Sequence, residues 1–126
     1  MIDLLLGLRS ALTAALALLV LEICWHSWLA PARANLFWPS FALAVAPLLP
    51  GLWVARTDLR RGVLICGIVC MFYFAHGVAE LWGAATPRAL PAGEITLSLF
   101  VIAALGWDAR AYKRAPRRDD GPERGA

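Results

Sequence analysis

Charge is scarce in this chain. Of its 126 residues only 17% are Asp, Glu, Lys or Arg, while 60% are hydrophobic; an ordinary soluble domain is about a quarter charged and half apolar. A soluble chain this small has too little interior to hide so much apolar surface, so a freestanding water-soluble domain is excluded and lipid is the expected solvent. Cysteine is scarce too. Cys24, Cys66 and Cys70 all lie inside apolar runs, and an odd count with none in a loop excludes a disulfide framework. They read as small apolar packing residues. The four-residue spacing of Cys66 and Cys70 is of a kind that suits a metal, but two thiols make too small a ligand set, and no cofactor or metal is expected. A folded polar region is missing altogether. The basic residues gather around Arg56 to Arg61 and after Asp108, with no soluble module to present them to a nucleic acid, so none is expected as a partner. Nothing marks an enzyme.

What the chain does have is length in its apolar runs. About 20 residues of helix cross the hydrocarbon core, and four segments qualify: about residues 8–28, 37–55, 62–82 and 92–107. The connections are short and rich in turn formers, from Pro31 to Asn35, from Arg56 to Arg61 and from Gly83 to Pro91. Short links force antiparallel neighbours. The expected architecture is therefore all-α, a polytopic up-down bundle of four transmembrane helices over residues 1–109. A charged tail over residues 110–126, almost free of apolar side chains, is expected to be disordered. The second span is the irregular one. Pro39 suits a first helical turn, whereas Pro47 and Pro50 each remove a backbone donor and should kink or break the helix.

Lys and Arg collect on the cytoplasmic side of short loops. Arg9, Arg56, Arg60, Arg61 and the six basic residues of the tail make ten on one side of a four-span chain; Arg33 and Arg88 are the two on the other. Both termini are then cytoplasmic. Tryptophan prefers the membrane interfaces, and the anchors expected there are Trp28, Trp38 and Trp82 at the outer ends and Trp107 at an inner end, with Trp25 and Trp53 in the same roles. Ala32-Arg33-Ala34 has the small residues of a signal cleavage site, but Glu22, Trp25, His26 and Trp28 interrupt the apolar run before it, and the first segment reads as a retained span.

Ionisable side chains inside a membrane are costly and mark sites by default. Five stand out: Glu22, His26, His76, Glu80 and Glu94. Glu22 and His26 share a helix face, as do His76 and Glu80; Glu94 and Ser98 repeat the spacing. Counted back from Trp28 and Trp82, Glu22 and His76 lie roughly 9 Å below the outer interface, and His26 and Glu80 roughly 3 Å. An acid then faces a histidine at two levels wherever the first and third spans touch, with Glu94 at comparable depth. On the third span Cys66, Tyr73, His76 and Glu80 form a stripe expected to face the bundle, opposite Leu64, Ile68 and Phe72. The bland reading of the cluster is a satisfied polar network that locks helix packing. The sharper one is a proton- or cation-coupled transport unit, and a metal site ranks third.

The runs Asn35-Leu36-Phe37-Trp38-Pro39, Arg60-Arg61-Gly62, Tyr73-Phe74-Ala75-His76-Gly77-Val78-Ala79-Glu80 and Glu94-Ile95 resemble an uncharacterised family of small bacterial predicted membrane proteins, Domain of Unknown Function 2069. The resemblance covers about Leu16 to Lys113. It implies four spans in the bacterial inner membrane and supplies no activity, cofactor or partner beyond the lipid bilayer. Small multidrug resistance transporters are similar in size and span number and use a first-helix glutamate. Here Glu22 lies toward the outer end, and the ten-to-two basic bias fixes one orientation. The expected role is therefore structural, accessory or assembly, with a second copy or another membrane protein as partner.

Overall fold

The structure, a computed structural model, describes residues 2–29, 31–83 and 87–114. Its helices are α1 (Ile2–Cys24), which continues as a wide π-helical turn over Trp25–Leu29, α2 (Phe37–Val45), α3 (Leu48–Val54), α4 (Leu59–Gly83) and α5 (Ala89–Arg114). Four stretches are long and apolar enough to cross a membrane: Leu5–Leu29, Phe37–Val54, Leu59–Gly83 and Ala89–Lys113. The four-span bundle expected from the sequence is present, with α2 and α3 together making the second span.

Proline placement explains much of this division. Pro39, Pro50 and Pro91 are each the third residue of their helix, in the first turn, where the missing N–H has no intrahelical partner to lose. Pro50 therefore breaks nothing, contrary to expectation, and Pro91 belongs to α5 instead of the preceding turn. Pro47 alone interrupts the second span, between Val45 and Leu48. A neighbouring helix compensates there: the Tyr73 hydroxyl on α4 donates to the Ala44 carbonyl at 2.5 Å. Irregular backbone survives at membrane depth when protein supplies such partners.

The turn between α3 and α4 is set by Asp58, whose Oδ1 accepts the Arg61 N–H at 3.1 Å, the geometry of a helix N-cap. Gly62 lets this turn close, since a Cβ there would collide with Ala55. At its far end α5 does not stop near Trp107. It runs on through Arg114, so residues 110–114, expected in a disordered tail, are helical. The basic Arg110 and Lys113 suit a helix C-terminus, and the Arg60 guanidinium sits 4.5 Å from the centre of the Tyr112 ring, tying this last turn to α4. Residues 115–126 of the expected tail lie outside the described residues.

Helix α5 packs along both α4 and α1, and α3 lies against α4. The core between them holds Ala14, Ala15, Leu18, Leu48, Cys66, Cys70, Tyr73 and Val101. Leu64, Ile68 and Phe72 face outward, as the polar stripe on the opposite side of α4 predicts. Close approach is paid for in side-chain size: a Cβ on Gly67 would stand 2.7 Å from Leu105 Cδ2, and one on Gly51 would stand 2.6 Å from Cys66 Sγ.

Candidate functional site: a polar knot between three spans

Glu22 comes from α1, His76 from α4 and Glu94 from α5, and all three meet at the same end of the bundle. The strongest link joins α4 to α5. His76 Nδ1–H donates to both Glu94 oxygens, at 3.1 Å each. The Glu94 carboxyl is fully buried while the His76 side chain keeps 44% of its surface, so the pair runs from the interior to the bundle surface. The pairing expected from depth, Glu22 with His76, is replaced by His76 with Glu94. Counting residues along the membrane normal fixes depth but says nothing of direction around each helix axis.

Glu22 is fully buried. Its immediate partner is on its own helix: His26 Nδ1 lies 3.4 Å from Glu22 Oε2 and 3.2 Å from the Glu22 carbonyl, which accepts its N–H. Glu94 and His76 are its charged neighbours across the interface. The Glu22 and Glu94 carboxyl groups are close enough to share a proton between them, but among the described residues no N–H or O–H donor reaches a Glu22 oxygen with good geometry, and the fully buried Ser98 hydroxyl, one turn deeper on α5, also has no partner among them. Glu80 is half-buried and exerts its charge on both His26 and His76. The five residues singled out in the sequence therefore gather in one neighbourhood, with His76 and Glu94 in direct contact and Glu80 at the margin.

Several members of the site carry no ionisable signal and escape a search for charge. Trp25, expected as an interface anchor, is only 3% exposed. Its ring centre lies 5.6 Å from that of His26 and 5.7 Å from that of His76, and the two histidine rings are 6.3 Å apart. The π-helical turn starts at Trp25; such turns redirect side chains and concentrate at functional sites. Trp28, Trp38, Trp82 and Trp107 are all exposed, as side chains at a lipid interface would be. Gly77 is the other hidden member. A Cβ there would lie 2.9 Å from Ile95 Cγ1 and 3.1 Å from both Glu94 Oε2 and the Pro91 carbonyl, so only glycine lets α5 come close enough for Glu94 to reach His76. Its place beside His76 in the sequence was the available clue.

A second polar link closes the opposite end. Arg60 on α4 donates from Nε to Asp108 Oδ2 on α5 at 3.0 Å, and Asp108 is 5% exposed. Between the two ends the interior is the apolar core. Among the described residues no group of three His, Cys, Asp or Glu side chains is arranged to hold a metal ion. What this group offers chemically is carboxyl and imidazole groups in mutual contact, whose protonation states are coupled.

No curated protein and no solved structure matches the chain. The sequence pattern of one family, described as Predicted membrane protein (DUF2069), matches residues 10–113. Together with four helices able to span a bilayer, that match means the chain belongs to the DUF2069 family of predicted membrane proteins.

Proposed function

We propose that the protein is a small multi-pass component of the bacterial inner membrane with both termini in the cytoplasm, and that its role is structural, accessory or assembly, not enzymatic. The observation that carries this reading is the polar knot. His76 and Glu94 bond α4 to α5, and the buried Glu22 of α1 lies beside Glu94, above a core whose described residues are mostly apolar. A bundle joined at one end by this knot and at the other by Arg60 and Asp108 is a rigid element, and rigid faces suit assembly with a second copy or another membrane protein. The orientation is supported by the ten-to-two basic division, and the exposed Trp28, Trp38, Trp82 and Trp107 act as interfacial anchors. One observation favours a proton- or cation-coupled role as the second reading: Glu22 and Glu94 are two fully buried carboxyl groups in contact, and like groups so placed are least costly when they share a proton or another cation.

A deletion strain complemented with variants separates the two. Under the accessory reading, His76→Ala lowers the amount of folded protein, and rescue falls in step with it. Normal protein level with rescue abolished would favour coupled transport. Alkaline phosphatase fused after Arg118 should be inactive and fused after Ala34 active; the reverse pattern would overturn the orientation.

A further inference from the structure

We propose that Glu22 is a one-sided proton-binding site, loaded and emptied through Glu94 and His76 from the face where His76 emerges and sealed from the opposite face. The proposal rests on the convergence of the three spans, and not on an accessory role. Its first support is geometric. Glu22 is fully buried, its side-chain partner across the interface is a second buried carboxyl, Glu94, and among the described residues no N–H or O–H donor reaches either oxygen with good geometry. An ionised carboxylate in that setting is very costly, and a proton is the one cation that needs no additional cavity. Its second support is the contact path. Glu94, a neighbour of Glu22, is fully buried yet bonded at 3.1 Å to His76, whose ring keeps 44% of its surface. Its third support is the seal: Leu18, Ala15, Cys70 and Val101, on the inner side of Glu22, are all fully buried apolar residues.

The transfer balances without a co-reactant. External hydronium gives a proton to His76 Nε2 and leaves as water. His76 Nδ1 passes its proton to Glu94, and Glu94 passes one to Glu22. The imidazole is left as its Nε2–H tautomer; exchange with water at the surface, which removes the Nε2 proton and returns one to Nδ1, restores its starting form, and release runs the same steps backward. The other titratable groups facing the site are His26 from α1, Tyr73 and Glu80 from α4, and the Ser98 hydroxyl stands by on α5. Helices α2 and α3 contribute none, since neither contains an acidic, basic, cysteine or histidine residue.

Infrared difference spectroscopy on the full chain in sealed vesicles tests this, with external pH stepped at constant Na⁺ and then Na⁺ exchanged at constant pH. The expected result is a carboxylic C=O band that follows external pH, is lost in Glu22→Gln, moves in frequency in Glu22→Asp and responds more slowly in His76→Phe. A band that survives unchanged in Glu22→Gln, or follows only the internal pH, overturns the proposal. A signal that follows Na⁺ at fixed pH overturns it in favour of a metal cation. Circular dichroism identifies a Glu22→Gln chain that fails to fold; Glu22→Asp then carries the test, and an unmoved band in it is equally fatal. Loss of helix packing with an intact proton response would instead count against the knot alone.

Discussion

His76 reaches both oxygens of Glu94 from a single ring nitrogen, at 3.1 Å to each. One side chain thus joins two adjacent antiparallel spans at a point where one partner is fully buried and the other opens to the surface. Removing the imidazole leaves a buried carboxyl without its donor, a cost of about 1–3 kcal/mol. His76→Ala should lower unfolding stability in detergent or bicelles by an amount in the lower half of that range, because the cavity it leaves is half open. His76→Leu combined with Glu94→Leu should recover much of the loss, since removing both polar partners together is nearly neutral. A double variant that is worse than the sum of the singles would contradict the pairing.

Gly77→Ala should destabilise the bundle by about 1–3 kcal/mol, the usual cost of overpacking a tight contact. The added methyl would meet Ile95, Glu94 and the Pro91 carbonyl. Gly106→Ala is the matched control. A Cβ there meets nothing within 4 Å, and replacing a mid-helix glycine gains about 0.5–1 kcal/mol. Equal effects at the two positions would mean that α4 and α5 are not closely apposed at Gly77.

Tyr73→Phe removes the donor that serves the Ala44 carbonyl beside Pro47. Interhelical hydrogen bonds in membranes average about 0.6 kcal/mol, with a maximum of about 1.7, and the loss should fall near the upper end because the bond is fully buried. Hydrogen exchange should rise locally over residues 43–49. An unchanged exchange pattern would show that the interrupted span does not depend on α4.

Arg60→Ala should cost about 1–3 kcal/mol by stranding the buried Asp108 carboxylate. Arg61→Ala, by contrast, breaks an exposed pair with Asp58, worth at most about 1 kcal/mol. Similar losses in the two variants, measured side by side at one ionic strength, would contradict the distinction.

The sequence made the spans legible because bilayer thickness imposes a length on apolar runs, and four such runs are separated by Pro, Gly and charged turns. The face of α4 was legible in its deeper half for the same kind of reason: Cys66 and Tyr73 inward against Leu64, Ile68 and Phe72 outward follow from helical spacing, whereas His76 and Glu80, expected on the same inward stripe, sit at the bundle surface and its margin. The break in the second span was half legible. Pro47 and Pro50 look equivalent in sequence, yet only Pro47 interrupts, because the new helix begins at Leu48 and puts Pro50 in its first turn. The partners within the site were not legible. Which of Glu22 and Glu94 meets His76 depends on rotation about the helix axes, and that rotation is set by the close approach of α5 at Gly77. Trp25 misled for a related reason: a preference for interfaces does not foresee a π-helical turn that places the ring among the histidines.

The central claim is that Glu94 and His76 are bonded across two spans. Solid-state NMR of the side-chain nitrogens of His76 in lipid bilayers tests it most directly, comparing the wild type with Glu94→Gln. The bonded geometry predicts a hydrogen-bonded Nδ1 resonance that moves in the variant while the His26 signals move less. A His76 Nδ1 resonance identical in the two samples would contradict it.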